Sequence, residues 1–229
     1  MRTVYIEPLP IRRIDFTNPV EKSQHDELAA LADKMLHLNK RLHNELEQMT
    51  FLQICDEINP NRLPLKGMGD RFRIAITDSK RKKLTSQVIE TFELGDGELG
   101  LKDDKLTARI QADETAISFL RAYLAHIEAE TLDTLNAEYP KLEEKIRNLP
   151  VPDLTIEEMS QALSRWEEIE KEKESLVREI QDTDNLIDAK VFRLYGLERE
   201  EIVTVLDSLG TEEEIKTDIL NKWERETEG

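Results

Sequence analysis

The sequence predicts a mainly α protein in which long antiparallel, coiled-coil-like helices carry a small inserted antiparallel β element, an α+β arrangement. Three observations support this fold class: the composition, long apolar repeats of helical period, and a group of short alternating segments between them. Of the 229 residues, 38% are hydrophobic and 35% are charged, with only 8 glycines and 8 prolines. Such a composition favours helices with one solvated face.

Charge and cysteine content restrict the function classes. The net charge of −17 opposes nucleic-acid binding by the chain as a whole, because Lys and Arg supply most of the non-specific affinity for phosphate. The single Cys55 excludes an internal disulfide and a zinc site built from the cysteines of one chain. No stretch resembles a signal peptide or an apolar span of about 18 residues, so we expect a cytoplasmic protein that does not enter a membrane.

The first predicted segment, residues 1–17, is an edge strand or linker. Residues 3–6 form a short strand pattern, which Pro8 and Pro10 limit to an edge position. A helix then begins at Asn18 and Pro19, because Asn is a favoured N-cap and Pro fits the first helical position.

The second segment, residues 18–54, is predicted to be a single long helix. Its apolar residues follow the alternating spacing of three and four that defines a coiled-coil seam over about three heptads, with Glu45 at the one broken position. The seam residues are Leu28, Leu31, Met35, Leu38, Leu42 and Met49. Such a seam needs a partner helix, either in this chain or in another.

The third segment, residues 55–112, combines a basic loop with a small sheet. Pro and Gly interrupt the helical pattern over residues 55–69, and alternating patterns at 72–76, 88–94 and 106–110 then indicate three or four strands. Eight basic residues lie between positions 62 and 83 against two acidic ones. This basic cluster predicts DNA-backbone contacts by Arg71, Arg73, Lys80, Arg81, Lys82 and Lys83, with a solvated loop as the alternative.

The last two segments are helical. Residues 113–152 contain a long helix capped by Asp113 and running toward Tyr139, followed by a proline-rich connection. Residues 153–229 contain the second stalk helix, which opens with a capping box at Thr155 and Glu158, and then a helical tail. The first and last of the long helices are the expected antiparallel partners.

A helix corner near the end of the chain is the most specific local pattern. Ile187, Val191 and Leu194 share one helix face, and Tyr195 ends that helix. Gly196 supplies the left-handed residue and Leu197 the hydrophobic closure, which together predict a tight helix–Gly–helix corner with an aromatic plug. Periodicity alone also allows a generic capped helix pair.

The corner belongs to the pattern I-D-x-x-V-F-x-L-Y-G-L-x-x-E-E-I, which resembles the C-terminal end of single-chain type II adenine-specific restriction–modification methyltransferases. Residues 9–16, 19–22 and 35–40 resemble the same family, and all blocks together cover about a third of the chain. The resemblance implies helices that follow the target-recognition domain, brace it against the methyltransferase core and help to hold DNA. The family usually joins its two helical blocks by a much shorter segment, whereas residues 51–155 here form an insert.

No catalytic, cofactor-binding or metal-binding residues are predicted. Residues 95–100 match G-x-G-x-x-G, but the pattern that follows is a strand, so a Gly-rich hairpin turn is the better interpretation. The chain has no Asn-Pro-Pro-aromatic loop to receive a flipped adenine, and its four histidines lack the spacing of a zinc site. The resemblance agrees, because it implies that methyl transfer and cleavage belong to regions that precede these motifs.

The sequence thus predicts a non-catalytic DNA-recognition or scaffold segment of an adenine-specific restriction–modification system. Its partners would be double-stranded DNA and a methyltransferase or restriction subunit. The alternative is a structural coiled-coil protein that forms a homodimer through its apolar seam and does not bind nucleic acid. A third hypothesis is a small S-adenosylmethionine enzyme that uses residues 95–100.

Overall fold

A computed structural model describes residues 12–76, 84, 92–95, 98–103 and 105–227. These residues are mainly helical with small antiparallel β elements, which confirms the predicted fold class. They divide into two compact units. The helical unit contains the described residues of 1–46 and 173–229, and the inserted unit is Glu47–Glu172. The strand predicted at residues 3–6 lies outside the described residues.

The first helix begins as predicted but ends earlier. Helix α1 (Pro19–Lys40) is capped by the Asn18 side chain, which accepts a hydrogen bond from the Val20 N–H at 3.0 Å. A π-helical turn (Arg41–Leu46) follows, and helix α2 (Phe51–Ile58) then starts anew. The helix predicted over 18–54 is therefore divided. Its physical cause is a second capping box, in which Thr50 and Gln53 satisfy each other's backbone N–H groups at 3.2 and 2.8 Å.

The inserted unit contains two antiparallel β elements. Strand β1 (Arg62–Pro64) pairs with β6 (Pro150–Pro152). Strands β2 (Arg73–Ile76), β3 (Phe92–Gly95), β4 (Glu98–Asp103) and β5 (Lys105–Gln111) form a sheet in the order β2-β5-β4-β3. The strands predicted at 72–76 and 106–110 are present, and β4 is additional. The strand predicted at 88–94 falls within the described residues only from position 92.

Three shorter helices connect the sheet to β6. They are α3 (Glu114–Ala125), α4 (Ala129–Glu138) and α5 (Leu142–Arg147). Asp113 caps α3 as predicted, but the helix does not continue to Tyr139. The break at His126 places its ring 4.9 Å from Trp166 and 5.9 Å from Phe51, measured between ring centroids. The helical pattern that continues through Leu132 belongs to the separate helix α4.

The longest element is helix α6 (Ile156–Leu194) of 39 residues. Thr155 and Glu158 form the predicted capping box, with backbone N–H bonds of 2.8 and 3.2 Å. The first part of α6 belongs to the inserted unit and its part from Lys173 onward belongs to the helical unit. The predicted second stalk helix is therefore present over its full length.

Helix α1 runs antiparallel to α6 within the helical unit, as predicted. Lys34 Nζ lies 2.9 Å from a Glu179 carboxylate oxygen, and Lys190 Nζ lies 2.9 Å from Glu27 Oε2. From the first ion pair to the second, the residue number on α1 decreases from 34 to 27 while the number on α6 increases from 179 to 190. The two helices therefore run in opposite directions. Solvent-exposed pairs contribute about 0.2–1 kcal/mol each, so they set register more than stability.

Helices α7 (Arg199–Ser208) and α8 (Glu213–Thr227) pack against the end of α6. The apolar core of this region consists of Ala189, Ile202, Leu206, Ile219 and Leu220. Each large aliphatic side chain buried here contributes about 1.5–3 kcal/mol.

A polar network joins α6 to α8 beside this core. The buried Asn185 donates from Nδ2 to Asp218 Oδ2 at 2.7 Å and accepts from Gln181 at 2.8 Å. Lys222 Nζ lies 2.7 Å from Asp182 Oδ1 and also donates to Asp218. Burial alone would raise the pKa of Asp218, but the hydrogen bonds from Lys222 and Asn185 outweigh it and hold that pKa below its ordinary value.

The helix corner forms as predicted, with one difference. Gly196 has φ +69°, and the Leu197 N–H donates to the Phe192 carbonyl at 3.1 Å, which closes the corner. Leu197 packs against the core, and Ile187, Val191 and Leu194 are half-buried. The aromatic plug is Phe192, because Tyr195 is 48% exposed.

We expect Gly196→Ala to lower the free energy of unfolding by about 1–2 kcal/mol, since an L-residue is strained in the left-handed conformation. An added Cβ at this position would contact nothing within 4 Å, so the cost comes from the backbone alone. Urea unfolding monitored by circular dichroism measures it. The control is Gly67→Ala, whose φ is not left-handed and whose Cβ would meet Pro64 Cγ at 3.4 Å. An equal effect of both substitutions would contradict the interpretation.

Candidate functional site

The two sequence segments that define the corner and the start of α1 meet in the helical unit. The Arg12 guanidinium donates to the backbone carbonyl of Leu194, the last residue of α6. It also lies 3.4 Å from Glu21 Oε1, and Glu21 accepts from the Asp15 N–H at 2.8 Å. Arg12 thus ties the region before α1 to the end of α6.

A pocket of about 370 Å³ lies between α1 and the last turns of α6, and we call it the Arg193 pocket. Val20, Leu28 and Leu194 form its apolar walls. Its polar lining is Ser23, Gln24, Glu27, Lys190 and Arg193. The pocket is therefore built from both segments that sequence analysis singled out, although the pattern gave no indication of a cavity.

One of the two cations in the Arg193 pocket is neutralised. Lys190, whose side chain is 15% exposed, donates from Nζ to Glu27 Oε2 at 2.9 Å, and Ser23 Oγ donates to the other oxygen of Glu27 at 3.2 Å. The hydrogen bond from Lys190 lowers the pKa of Glu27 below its ordinary value. The carboxylate is thus held ionised by its own neighbours.

The other cation, Arg193, differs from Lys190. Its side chain is half-buried, and within the part of the chain that the structure describes its guanidinium has no hydrogen-bond or ion-pair partner. Sequence analysis did not select Arg193, since it occupies a variable position (x) of the quoted pattern. The available signal was its spacing of three residues from Lys190, which brings both cations to neighbouring positions on α6.

The apolar seam of α1 is only partly covered. Leu28, Leu31, Met35 and Leu38 are all half-buried, and α1 has no buried residue at all over its described length. In the π-helical turn, by contrast, Leu42 and Leu46 are buried. An amphipathic helix of 22 residues normally buries its apolar stripe. The seam therefore leaves apolar area available to a further partner.

One apolar side chain of α1 and one of α6 are largely exposed. Leu36 is 69% exposed and Val177 is 53% exposed. Each is two residues, or about 200° of helical rotation, from a member of the Lys34–Glu179 ion pair, so both point away from the side that carries that pair.

Among the predicted DNA contacts, Arg71 has an internal structural role. Its guanidinium donates to the Met68 carbonyl at 3.0 Å, the Leu154 carbonyl at 2.7 Å and Asp153 Oδ1 at 2.9 Å. Its side chain is only 28% exposed. These bonds hold the 3₁₀ turn Gly69–Arg71 against the segment that precedes α6.

Arg73 is placed differently. It is exposed on β2, and no hydrogen-bond or ion-pair partner for its side chain occurs in the described residues. Register places Arg73 opposite Gln111 and Ala75 opposite Arg109, so Arg73 and Arg109 are diagonal neighbours on one face of the sheet. Sequence analysis missed Arg109, although the alternation of the strand 106–110 puts it on the face opposite the buried Ile110.

The remaining predicted contacts, Lys80, Arg81, Lys82 and Lys83, lie outside the described residues. The residue that follows them, Leu84, is firmly held. Its N–H donates to Asn136 Oδ1 at 2.9 Å, its carbonyl accepts from Asn136 Nδ2 at 2.7 Å, and its side chain is 1% exposed.

The described residues on both sides of the Gly-rich segment 95–100 pair as expected for a hairpin. Strands β3 and β4 pair antiparallel with Gly95 opposite Glu98, and β4 continues as a strand to Asp103. A phosphate-binding loop would instead lead into a helix whose N-terminus faces the ligand. The described part of this segment supplies no such helix.

The described residues show no sign of metal, thiol or membrane chemistry. In the described ranges, no cluster of three or more His, Cys, Asp or Glu side chains is arranged to hold a metal ion. Burial raises the pKa of the Cys55 thiol to about 12, which suits a core residue rather than a nucleophile. None of the described helices combines the length and apolar character needed to cross a bilayer.

Comparison with known proteins gives no significant match to this chain among protein-family models, curated proteins or solved structures.

The different placements of Arg71 and Arg73 lead to a direct comparison. We expect Arg71→Ala to lower the free energy of unfolding by about 2 kcal/mol, because it removes three hydrogen bonds and leaves Asp153 unpaired. Arg73→Ala is the matched control and should change stability by less than about 0.5 kcal/mol, as is usual for an exposed side chain. Urea unfolding of both variants tests this, and equal stability of the two would contradict the structural role of Arg71.

Proposed function

We propose that this chain is a non-catalytic DNA-recognition and scaffold segment of an adenine-specific restriction–modification system. In this proposal the helical unit docks on a methyltransferase core and the inserted unit contacts the DNA backbone. The single observation that carries it is the incomplete coverage of α1, which has no buried residue over 22 residues despite its apolar seam. The resemblance of the α1 and corner segments to the C-terminal helices of such methyltransferases supplies the partner.

The docking part of the proposal rests on apolar area. Leu36 on α1 and Val177 on α6 are exposed apolar side chains, and burial of such groups is the main driving force of association. A partner that covered both side chains would remove them from water, with a gain of about 1.5–3 kcal/mol each on full burial. The fully buried centre of an interface is more apolar than its rim, so exposed side chains of this kind are suited to it.

The DNA part rests on segregation of charge within an acidic protein. Arg73 and Arg109 share one exposed face of the sheet, and the run 80–83 adds four adjacent basic residues. Asp70 and Asp113 line a shallow pocket together with Arg73, so the described basic face is not uniformly positive. We therefore assign most of the proposed phosphate contact to residues 80–83, with Arg73 as a positioning contact.

A second candidate function is supported by the same α1 observation. A homodimer that pairs two copies through the α1 seam and the exposed Leu36 would also cover apolar area, without any role for nucleic acid. In that case the chain would be a structural coiled-coil interaction protein. The solution state of the isolated chain separates the two candidates.

We expect the isolated chain to be a monomer by size-exclusion chromatography with light scattering. It should bind an N6-adenine methyltransferase core truncated before its own C-terminal helices. The double substitution Leu36→Ser and Val177→Ser should weaken this complex about tenfold or more, because it removes exposed apolar area without disturbing a buried core.

The matched control for this experiment is Leu209→Ser, which changes a leucine that is 72% exposed at the end of α7. Its affinity for the methyltransferase core should equal that of the wild type. A dimer of the isolated chain that dissociates in the double variant would favour the homodimer instead. A monomer that does not bind the core would rule out both candidates.

Binding to duplex DNA should fall steeply with salt. We expect measurable binding at about 50 mM salt, a loss of at least tenfold at about 200 mM, and loss of binding when residues 80–83 are all changed to Ala, because contacts to several phosphates release counterions. Fluorescence anisotropy with a labelled duplex measures this.

Arg73→Ala should weaken DNA binding modestly, whereas Lys141→Ala serves as the control for removal of a single exposed positive charge from the same unit. Binding that is absent at both salt concentrations would contradict autonomous DNA contact and leave the docking proposal unaffected. Binding that survives in the 80–83 variant would move the contact elsewhere on the chain.

A further inference from the structure

We propose that the Arg193 pocket receives an Asp or Glu side chain of a partner protein, with an apolar neighbour of that residue packed on Val20, Leu28 and Leu194. The inference deepens the proposed docking function and rests on it for the identity of the partner. It is carried by the geometry of the pocket, by the free guanidinium, and by the balance of charge around it.

The first step concerns the donors of Arg193. A cation near a helix C-terminus often serves to satisfy the last carbonyl groups. Here each carbonyl of the last turn already accepts a hydrogen bond from another residue: those of residues 191, 192, 193 and 194 accept from Tyr195, Leu197, Gly196 and Arg12, respectively. The guanidinium of Arg193, with five N–H donors, is therefore not used for capping.

The second step concerns the charge of the pocket. Glu27 accepts from Lys190 at 2.9 Å and from Ser23 at 3.2 Å, and within the described residues no hydrogen bond or ion pair joins it to Arg193. One positive charge remains uncompensated in a half-buried setting. A carboxylate would pair with this guanidinium through two parallel charge-assisted hydrogen bonds, which are stronger than hydrogen bonds between neutral groups.

The third step concerns the chemistry of the ligand. A nucleic-acid backbone would need several cations in a row, whereas this pocket supplies one free cation together with Glu27 and three apolar walls. Val20 is 63% exposed and Phe16, which packs edge-on against His25, is 59% exposed. An acidic side chain flanked by an apolar one matches this combination of a cation and exposed apolar surface. A pocket of about 370 Å³ accommodates two such side chains.

A capped tripeptide with glutamate between two leucines is the probe. In ¹⁵N NMR spectra of the whole chain, the Arg193 Nε–Hε resonance should shift and saturate within about 10 mM peptide. The matched peptide with glutamine in place of glutamate should bind about tenfold more weakly, because it lacks the charge-assisted pair. Arg193→Gln should abolish saturable binding of the glutamate peptide.

Arg178→Gln is the control variant, since Arg178 is an exposed arginine on the same helix, about 22 Å away along its axis. It should bind the glutamate peptide like the wild type. Equal binding of the glutamate and glutamine peptides, no saturable shift, or a larger Arg193 shift with inorganic phosphate or a short DNA duplex would overturn the proposal.

The methyltransferase core separates failure of this inference from failure of the docking function. Arg193→Gln is expected to weaken the complex with the core about tenfold. Wild-type affinity of that variant would overturn the role of the pocket and leave docking in place. If the wild-type chain does not bind the core, docking fails, and the peptide titration still decides whether the pocket takes a carboxylate.

Discussion

Helix α6 imposes the main constraint on this structure, because an amphipathic helix of 39 residues extends over about 58 Å and must cover its apolar stripe throughout. No single small core is that long. The chain solves this by using the first part of α6 in the inserted unit, around Phe51, Phe119 and Trp166, and the second part in the helical unit. In the second part, the core around Ile202 packs against the end of the helix, whereas α1 has no buried residue of its own.

The sequence predicted the elements whose ends are marked by local chemistry. The Asn18 cap, the Thr155 capping box and the Gly196 corner are each fixed by a few adjacent residues, and all three are found. The breaks at Thr50 and His126 escaped prediction for different reasons. The capping box of Thr50 and Gln53 is recognisable in the sequence, but it lies within the longer seam pattern, which favoured a continuous helix. At the break, the ring of His126 contacts Trp166. Trp166 is 40 residues away in sequence, so a local pattern does not report this contact.

The candidate site was predictable only in part. Sequence analysis selected both segments that wall the Arg193 pocket, but it did so from a resemblance and from helix-corner chemistry, neither of which reports a cavity. The sequence also did not indicate which charged side chains have partners in the fold. Arg71 and Arg73 are two residues apart in one basic cluster. Arg71 donates hydrogen bonds to Asp153 and Leu154, whereas Arg73 is exposed. Whether a cation is free depends on the carboxylates and carbonyls that the fold brings to it.

The inserted unit lies in the sequence between the two antiparallel helices of the helical unit. The inserted unit begins after Leu46 and ends before Lys173, and both flanking residues belong to the helical unit. Because α1 and α6 are antiparallel, the chain leaves the first helix and returns to the second at the same end of the pair. Insertions are tolerated where two chain ends already lie close together, since closing the connection costs little entropy and no buried contact is broken. The Lys34–Glu179 and Glu27–Lys190 pairs, the Gly196 corner and the Arg193 pocket all lie on the helical-unit side of that junction. Their geometry therefore depends on residues of the helical unit alone. The proposed docking role accordingly uses none of the residues that are proposed to contact DNA.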